Sequence, residues 1–289
     1  MGTTILSILC GIGGMFGWGI YDFLGGVYAK QIGPFKSFFW SQLAGLIFVF
    51  LLIFAFAINL NLPVLVIILL PIAAIVYSAG YLLFFKGFEK GNVSIVAATM
   101  NLWAVFTMLF AFIFMGQRLS PLQSLGVFMI ISGVTLASLY RGDISNQRFR
   151  LLSGVKETIL GAFFFGIFWN ISEVISEEIG WLLTTLLIKL GIVLFLLLFA
   201  CLLKRELRLF KAATQTKCVV ALMGIVEAGA VAVVNYGLTI GDAILITPIA
   251  SALSMVTITL AILFLKDTVT KLQRLGIIAA VAGIVVTAL

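Results

Sequence analysis

The chain has 289 residues, of which 63% are hydrophobic and only 10% are charged. A soluble domain usually carries about 25% charged residues, so this composition excludes an ordinary water-soluble fold. The net charge of +7 would suggest a nucleic-acid partner in a soluble protein. In a membrane protein basic residues instead face the anionic inner leaflet of the lipid bilayer, so we expect no nucleic-acid partner.

Hydrophobic stretches of about 20 residues, each long enough to cross a hydrocarbon core of about 30 Å, follow one another along the chain. They predict ten transmembrane helices, which we call spans one to ten, at residues 4–27, 36–58, 64–86, 93–115, 121–140, 157–176, 181–203, 218–240, 243–265 and 271–289. Pro71 in span three and Pro248 in span nine are expected to leave both spans helical, because neighbouring helices satisfy the freed carbonyls. The first span lacks the basic start and the cleavage site of a signal peptide and is expected to be retained.

The second half of the chain repeats the first at a constant offset of 150 residues. The matching positions are Gly87, Gly91, Thr107, Ala111, Phe114, Leu122, Gln123, Leu125, Gly126 and Gly133, followed by Gly237, Gly241, Thr257, Ala261, Phe264, Leu272, Gln273, Leu275, Gly276 and Gly283. Each copy has five spans, an odd number, so the second copy crosses the membrane in the opposite direction. We therefore predict an all-α polytopic membrane protein built as a 5+5 inverted repeat. Its parts are a first repeat at 1–140, a cytoplasmic linker at 141–156 and a second repeat at 157–289.

The basic residues predict the orientation in the membrane. Of the 18 lysines and arginines, all except Arg118 and Lys189 lie in or beside the loops that follow odd-numbered spans. Cytoplasmic loops are enriched in lysine and arginine, so this multi-pass protein of the cytoplasmic (inner) membrane should have both termini outside the cytoplasm. The basic loop at 203–217 is predicted to lie on the membrane as a short interfacial helix.

Short motifs in spans one, two, four and nine resemble those of a known transporter family. They are Trp18-Gly19 and Tyr21-Asp22-Phe23-Leu24-Gly25-Gly26 in span one, Lys30-Gln31-Ile32-Gly33-Pro34 after it, Trp40-Ser41-Gln42 in span two, and residues 116–126 and 266–276 at the ends of spans four and nine. Over nearly its whole length the chain resembles an EamA-type member of the drug/metabolite transporter superfamily. The resemblance implies a central cavity between spans one to four and six to nine, with spans five and ten outside it. It also implies alternating access that moves small metabolites, commonly amino acids.

One motif of the family reads differently in this chain. The family signature is "GE-x-[LV]-[ST]-x-x-Q-x-x-G", and its glutamate is replaced by Gln117 in the first copy and by Asp267 in the second. A carboxylate at this helix boundary is favourable next to a helix N-terminus. We interpret the motif as a structural turn and not as a shared functional site.

Ionisable residues fall inside predicted spans, where each costs about 2.5–3.5 kcal/mol at the bilayer centre. At 1.5 Å per residue, Glu227 of span eight and Lys189 of span seven both lie near the midplane. They either neutralise one another as a buried pair, or Glu227 binds a proton or the substrate, or the pair opens during transport. Glu173 lies about two turns from the outer end of span six. With Asn170 and Glu177 it is predicted to line a solvated vestibule.

Asp22 in span one has two interpretations. It lies on a stripe with Gly11, Gly14, Trp18 and Gly25 and could line the substrate cavity. Alternatively it lies near the interface, where it would cap a loop or pair with a lysine, Lys30 or Lys86. The small residues of the stripe are typical of close helix packing.

Neutral polar and aromatic residues complete the predicted substrate site. Asn101 and Ser251 are equivalent at the offset of 150 residues, as are Tyr77 and Glu227, and all four should lie at one depth around the axis between the repeats. Trp103 and Trp169 would supply apolar walls, or else pack elsewhere or lie in an interfacial belt. The whole predicted substrate-binding set is Trp18, Asp22, Tyr77, Tyr81, Asn101, Trp103, Trp169, Asn170 and Ser251. Asn235 in span eight is expected to form a hydrogen bond between helices.

The chain has no histidine and three cysteines without metal-binding spacing, and it has no phosphate-binding loop or nucleophile elbow. We therefore expect no cofactor and no enzymatic activity. The predicted function is a secondary transporter that moves a small metabolite, amino-acid-like or another zwitterion, either with or without coupling to protons. Efflux of lipophilic or toxic compounds is the alternative, and a membrane-embedded enzyme or a lipid scramblase comes third. Besides the substrate and the lipid bilayer, the chain itself is a possible partner, as either a monomer or a homodimer.

Overall fold

The structure is a computed structural model that describes residues 2–56, 62–90, 99–138, 154–209, 212–265 and 270–288. Residues 141–153 of the predicted linker lie outside the described residues, and so does Asp267. Helices occupy all ten predicted spans, and we number them accordingly. They are α1 (Gly2–Ile32), α2 (Pro34–Ile53), α3 (Val64–Lys90), α4 (Leu102–Phe114), α5 (Pro121–Ser138), α6 (Val155–Ile179), α7 (Trp181–Leu202), α8 (Thr214–Leu238), α9a (Ala243–Ala250), α9b (Leu253–Leu260) and α10 (Lys271–Ala288).

The outer surface of the helices is apolar, as a lipid-facing surface must be. Phe54, Phe114 and Leu202 expose 76%, 78% and 72% of their areas, whereas soluble proteins rarely expose large apolar patches. Seven of the described helical segments are long and apolar enough to cross a membrane, and α4 and α5 are shorter apolar helices. The prediction of an all-α polytopic membrane protein is confirmed.

The two prolines inside spans have different consequences. Pro71 lies within the continuous helix α3, as predicted. Span nine is interrupted three residues after Pro248, because α9a ends at Ala250, a turn follows and α9b begins at Leu253. Ser251 Oγ donates a hydrogen bond to the Pro248 carbonyl at 2.7 Å, and such local side-chain bonds to the backbone compete with the regular helical pattern. The prediction of one continuous helix in span nine is therefore wrong.

The first repeat has a turn at the matching position. Residues 99–100 are helical, Asn101 lies in a turn, and α4 begins at Leu102. Asn101 and Ser251 thus both lie where a span is interrupted, at the same place in each repeat. The loop at 203–217 does not form the interfacial helix that we predicted, because residues 205–209 are not helical and α8 already begins at Thr214.

Helix contacts between the two repeats come in matched pairs. α1 packs on α8 and α9, and α6 packs in the same way on α3 and α4. α2 packs on α8 as α7 packs on α3, while α2–α7, α4–α9 and α5–α10 are contacts between equivalent helices. Exchanging the repeats leaves this set of contacts unchanged. The inverted repeat with a pseudo-two-fold axis is confirmed.

The contact between α5 and α10 shows the two-fold relation at the level of single residues. A Cβ atom on Gly126 would lie 2.7 Å from the Gly283 carbonyl oxygen, and one on Gly133 would lie 2.6 Å from that of Gly276. Gly276 and Gly283 are the equivalents of Gly126 and Gly133, so one glycine contact occurs twice. Without side chains between them the two backbones approach closely, which is typical of helix pairs in membranes.

Both of these helices also begin with the same capping box. Gln123 Oε1 accepts from Ser120 N at 3.0 Å, and Ser120 Oγ accepts from Gln123 N at 3.2 Å. Thr270 and Gln273 repeat these bonds at 3.0 and 3.3 Å. Such reciprocal bonds satisfy free N–H groups of the first helical turn. The serine or threonine and the glutamine of the family signature therefore have a structural role, as predicted.

The glycine stripe of α1 is a packing surface. A Cβ atom on Gly11 would lie 3.0 Å from the Ile246 carbonyl oxygen in α9a, and one on Gly14 would lie 2.5 Å from Val234 in α8. The close helix packing expected for this stripe is confirmed.

Two ion pairs at helix ends connect the repeats. Lys36 at the start of α2 lies 3.2 Å from Glu206, and Lys90 at the end of α3 pairs with Glu157 in α6. Because these side chains are partly exposed, the pairs contribute little to stability.

Candidate functional site

A buried polar network joins four helices where the two repeats meet. Glu227 in α8 and Lys189 in α7 form an ion pair, and their side chains are 0% and 1% exposed. The Tyr77 hydroxyl in α3 donates to Glu227 Oε1 at 2.6 Å, and Lys189 Nζ also donates to Gln42 Oε1 in α2 at 2.8 Å. Both carboxylate oxygens and the ammonium group therefore have partners, as a buried ion pair requires.

Two glycines bring α2 and α8 close enough to build this network. A Cβ atom on Gly224 would lie 2.0 Å from the Ser41 carbonyl oxygen, and one on Gly45 would lie 2.7 Å from the Gly224 oxygen. Gln42 follows Ser41 directly, and Glu227 lies one helical turn after Gly224. The backbone contact thus holds Gln42 and Glu227 on either side of the Lys189 ammonium group.

The position of the network follows from the symmetry of the repeats. Tyr77 and Glu227 are equivalent residues, 150 positions apart, and they hydrogen-bond to each other. Two residues related by a two-fold axis can touch only if both lie close to that axis. The Lys189–Glu227 pair therefore lies at the centre of the repeat interface, where inverted-repeat transporters bind their substrates.

Three tryptophans from α1, α4 and α6 form a single cluster. The ring centroids of Trp18 lie 6.2 Å from Trp103 and 5.2 Å from Trp169, and Trp103 and Trp169 are 6.1 Å apart. All three are buried in the same core as Tyr77. Tyr81 stacks on a phenylalanine of α2 with ring centroids 4.6 Å apart and lies 5.0 Å from Tyr77. Trp103 and Trp169 are therefore interior residues and do not belong to an interfacial belt.

Asp22 is a carboxylate without a bonding partner in the described part of the chain. It is partly exposed and forms no hydrogen bond or ion pair with a described side chain, Lys86 included. The side chain of Lys30 lies outside the described residues. Asp22 and Glu227 are both close enough to Tyr81 for an electrostatic interaction.

Glu173 is a helix cap and does not line a solvated vestibule. Its side chain is fully buried, whereas Glu177 is exposed. Glu173 Oε1 accepts from Gln117 Nε2 at 2.8 Å and from the Ala243 backbone N–H at 3.0 Å, and Gln117 Oε1 accepts from Ile244 N at 3.1 Å. The two side chains together bind free N–H groups at the start of α9a. Gln117 therefore does more than form the turn that we predicted.

This arrangement predicts how substitutions of Glu173 change stability. Glu173→Gln retains an oxygen acceptor for both donors, so its unfolding temperature in detergent should stay near that of the wild type. Glu173→Ala leaves the buried Ala243 N–H and the partly buried Gln117 amide without this acceptor and should lose about 1–3 kcal/mol, measured by thermal unfolding of the purified protein. Equal unfolding temperatures for the two variants would contradict the capping role.

The remaining predicted polar residues hold helices together. Asn170 Nδ2 donates to the Thr107 carbonyl at 3.1 Å and so joins α6 to α4. Asn235 accepts from Ser172 and donates to Thr185, both at 2.9 Å, which confirms the predicted bond between helices. Asn101 and Ser251 are buried at the span interruptions. Within the described residues, no hydrogen bond joins Asn170 or Ser251 to the ion pair.

Two residues of this region, Gln42 and Tyr21, were not among the predicted site residues. Gln42 binds Lys189 directly, and Tyr21 lies beside Gln42 and contacts Ser41 at 3.3 Å. An amide within an apolar span was a usable signal, because an unpaired amide is costly inside a membrane.

Comparisons with known proteins agree with this architecture. The model of the EamA-like transporter family matches residues 5–139 and 152–289, one match for each repeat. A solved chain titled "Crystal structure of protein" has a TM-score of 0.82 and 18% sequence identity, with 98% of each chain covered, which shows the same fold. No curated protein has a matching sequence. The chain therefore belongs to the EamA-like transporter family and is a multi-pass membrane transporter of the drug/metabolite transporter superfamily.

Proposed function

We propose that this protein is a secondary transporter that carries a small zwitterion, such as an amino acid, by alternating access. The observation that supports the proposal is the fully buried Lys189–Glu227 pair on the axis between the repeats. A charged pair in the middle of a membrane protein is costly to keep. A role in binding the transported molecule would account for its position.

The chemistry of the pair favours a zwitterion over a singly charged substrate. The ammonium group of a zwitterion can replace Lys189 beside Glu227, while its carboxylate replaces Glu227 beside Lys189. Every buried charge keeps an opposite partner during this exchange, so the penalty of an unpaired buried ion is avoided. A simple cation or anion would leave one of the two side chains uncompensated. In this proposal the Tyr77 hydroxyl stays on Glu227.

The other predicted site residues would surround the substrate. Trp18, Trp103 and Trp169 would form the apolar wall against its side chain, with Tyr81 next to them. Asp22 would attract the substrate's ammonium group on the cytoplasmic side, if the basic loops face the cytoplasm and both termini lie outside. The interrupted spans four and nine would offer free backbone groups, as discontinuous helices do in other inverted-repeat transporters.

Flux into proteoliposomes tests the proposal. Purified protein is reconstituted and given each of the twenty standard L-amino acids in labelled form, and initial rates are compared with those of protein-free vesicles. We expect saturable uptake by the wild type and at least a tenfold loss in Glu227→Gln and Lys189→Met, which corresponds to about 1.4 kcal/mol or more. Glu157→Gln and Lys36→Met, which remove exposed ion pairs, are the matched controls and should transport normally. Folded Glu227→Gln and Lys189→Met proteins with wild-type flux would refute the proposal.

Proton coupling is a separate part of the proposal. Glu227 is the carboxylate that we propose for the coupled proton, because it lies beside the axis between the repeats. A pH gradient imposed across the vesicle membrane should then accelerate uptake in one direction. Flux that does not respond to the gradient would exclude coupling to protons and would leave zwitterion transport intact.

The tryptophan cluster favours a second candidate function, the efflux of lipophilic compounds. Aromatic faces bind apolar and cationic molecules, and Trp18 and Trp169 lie only 5.2 Å apart. In this case Trp169→Ala would increase the sensitivity of cells to a panel of lipophilic cations, whereas Lys189→Met would not. If the protein instead transports a zwitterion, both substitutions should reduce the flux of the amino acid.

A further inference from the structure

We infer that Gln42 is the second hydrogen-bond donor to the substrate's carboxylate, beside Lys189, and therefore determines specificity for carboxylates. The inference rests on the proposed function, since it assumes a zwitterion at the Lys189–Glu227 pair. The nitrogen of the Gln42 side-chain amide takes no part in the Lys189–Glu227 network.

The Gln42 amide is buried and only half satisfied. The residue is fully buried, and its Oε1 accepts from Lys189 at 2.8 Å. Its Nε2 is buried and has no hydrogen-bond acceptor among the described residues. An unpaired buried donor costs about 1–3 kcal/mol, and native proteins usually supply its partner as a protein group, an ordered water or a ligand.

The described groups next to the amide do not satisfy its nitrogen. Ser41 Oγ donates its hydrogen to the Phe38 carbonyl at 2.9 Å, so the contact of 3.3 Å between Ser41 and Tyr21 must use the Tyr21 hydrogen. The Tyr21 oxygen can still accept and lies close to the Gln42 amide, but Gln42 Nε2 does not reach it with the distance and angle of a hydrogen bond. The backbone contact of Gly224 with Ser41 holds this part of α2 in place.

A carboxylate matches the donors that result. One of its oxygens can bind the Lys189 ammonium group while the other accepts from Gln42 Nε2. A carboxamide offers one acceptor in place of two and carries no negative charge. A site with buried donors rejects an analogue that leaves one of them unpaired. The wild type should therefore prefer an amino acid over its carboxamide, and part of that preference should come from Gln42.

The test measures this preference in the full-length protein in proteoliposomes. The amino acid that the wild type transports fastest is competed with its own carboxamide, and the ratio of the two inhibition constants is compared among variants. Gln42→Met, of similar size and without donors, should reduce the preference at least tenfold, mainly through KM. Gln42→Glu is the second variant. It keeps an acceptor for Lys189 and places a negative charge beside the substrate carboxylate. It should abolish the preference.

Asn235→Leu is the matched control, because it removes a buried amide whose partners are Ser172 and Thr185. It should lower stability and leave the preference unchanged. If Gln42→Met and Gln42→Glu transport the amino acid with the wild-type preference, the inference is wrong while zwitterion transport stands. If the wild type transports no amino acid, the proposed function fails and the inference fails with it.

Discussion

A double variant, Lys189→Met with Glu227→Gln, should unfold at a higher temperature than either single variant and yet fail to transport. Either single substitution leaves a buried charge or its partners without compensation, which typically costs about 3–5 kcal/mol. The double variant removes both charges, so no uncompensated buried charge remains, and only Gln42 Oε1 and the new amide nitrogen at position 227 lose their partners. The amide oxygen introduced by Glu227→Gln would still accept a hydrogen bond from Tyr77. Thermal unfolding in detergent and flux in proteoliposomes measure the two effects.

The double variant separates the structural and functional interpretations of the pair. Recovered stability together with lost transport is expected if the pair binds the substrate. Recovered stability with wild-type transport would mean that the two charges only neutralise one another. Additive losses of stability from the two single variants would contradict the ion pair itself. Lys90→Met with Glu157→Gln, which removes a pair at the helix ends, is the control and should leave transport unchanged.

Gly224→Ala should be the most damaging single-methyl substitution near the site. The added Cβ would lie 2.0 Å from the Ser41 carbonyl oxygen, and a backbone atom cannot rotate away. We expect α2 and α8 to separate, a loss of about 1–3 kcal/mol or more from overpacking, and a loss of the Gln42–Lys189 hydrogen bond. Transport should fall with it. The measurements are the unfolding temperature and the initial rate of uptake.

Gly229→Ala is a matched control in the same helix. A Cβ atom on Gly229 would have nothing within 4 Å, and alanine is favoured over glycine in a helix by about 0.5–1 kcal/mol. This variant should therefore be as stable as the wild type or slightly more stable, with normal transport. If Gly224→Ala behaves like Gly229→Ala, the close contact between α2 and α8 does not position the site.

Hydropathy and the repeat were sufficient to predict the architecture. A membrane protein must hide its backbone polar groups in helices, so apolar length alone locates the ten spans. The odd number of spans in each copy then implies the inversion. Depth along the helix also placed Lys189 and Glu227 together, because few charges lie so far from any loop.

The sequence could not predict contacts that depend on which helix faces meet. Gln42 reaches Lys189 only because Gly45 and Gly224 let α2 and α8 cross closely, and an uncharged amide does not reveal its partner. Glu173 lies near a helix end, which suggested exposure to solvent. Gln117 and the start of α9a cover it, and these segments are far away in the chain.

The Tyr77–Glu227 hydrogen bond has a consequence for the origin of the protein. In a dimer of two identical half-length chains, this position on the axis would hold the same residue twice. The facing residues can differ only where the two halves have different sequences, as they do in this chain. The central Tyr77–Glu227 contact therefore depends on the divergence of the two repeats, and a pair of identical half-chains could not form it.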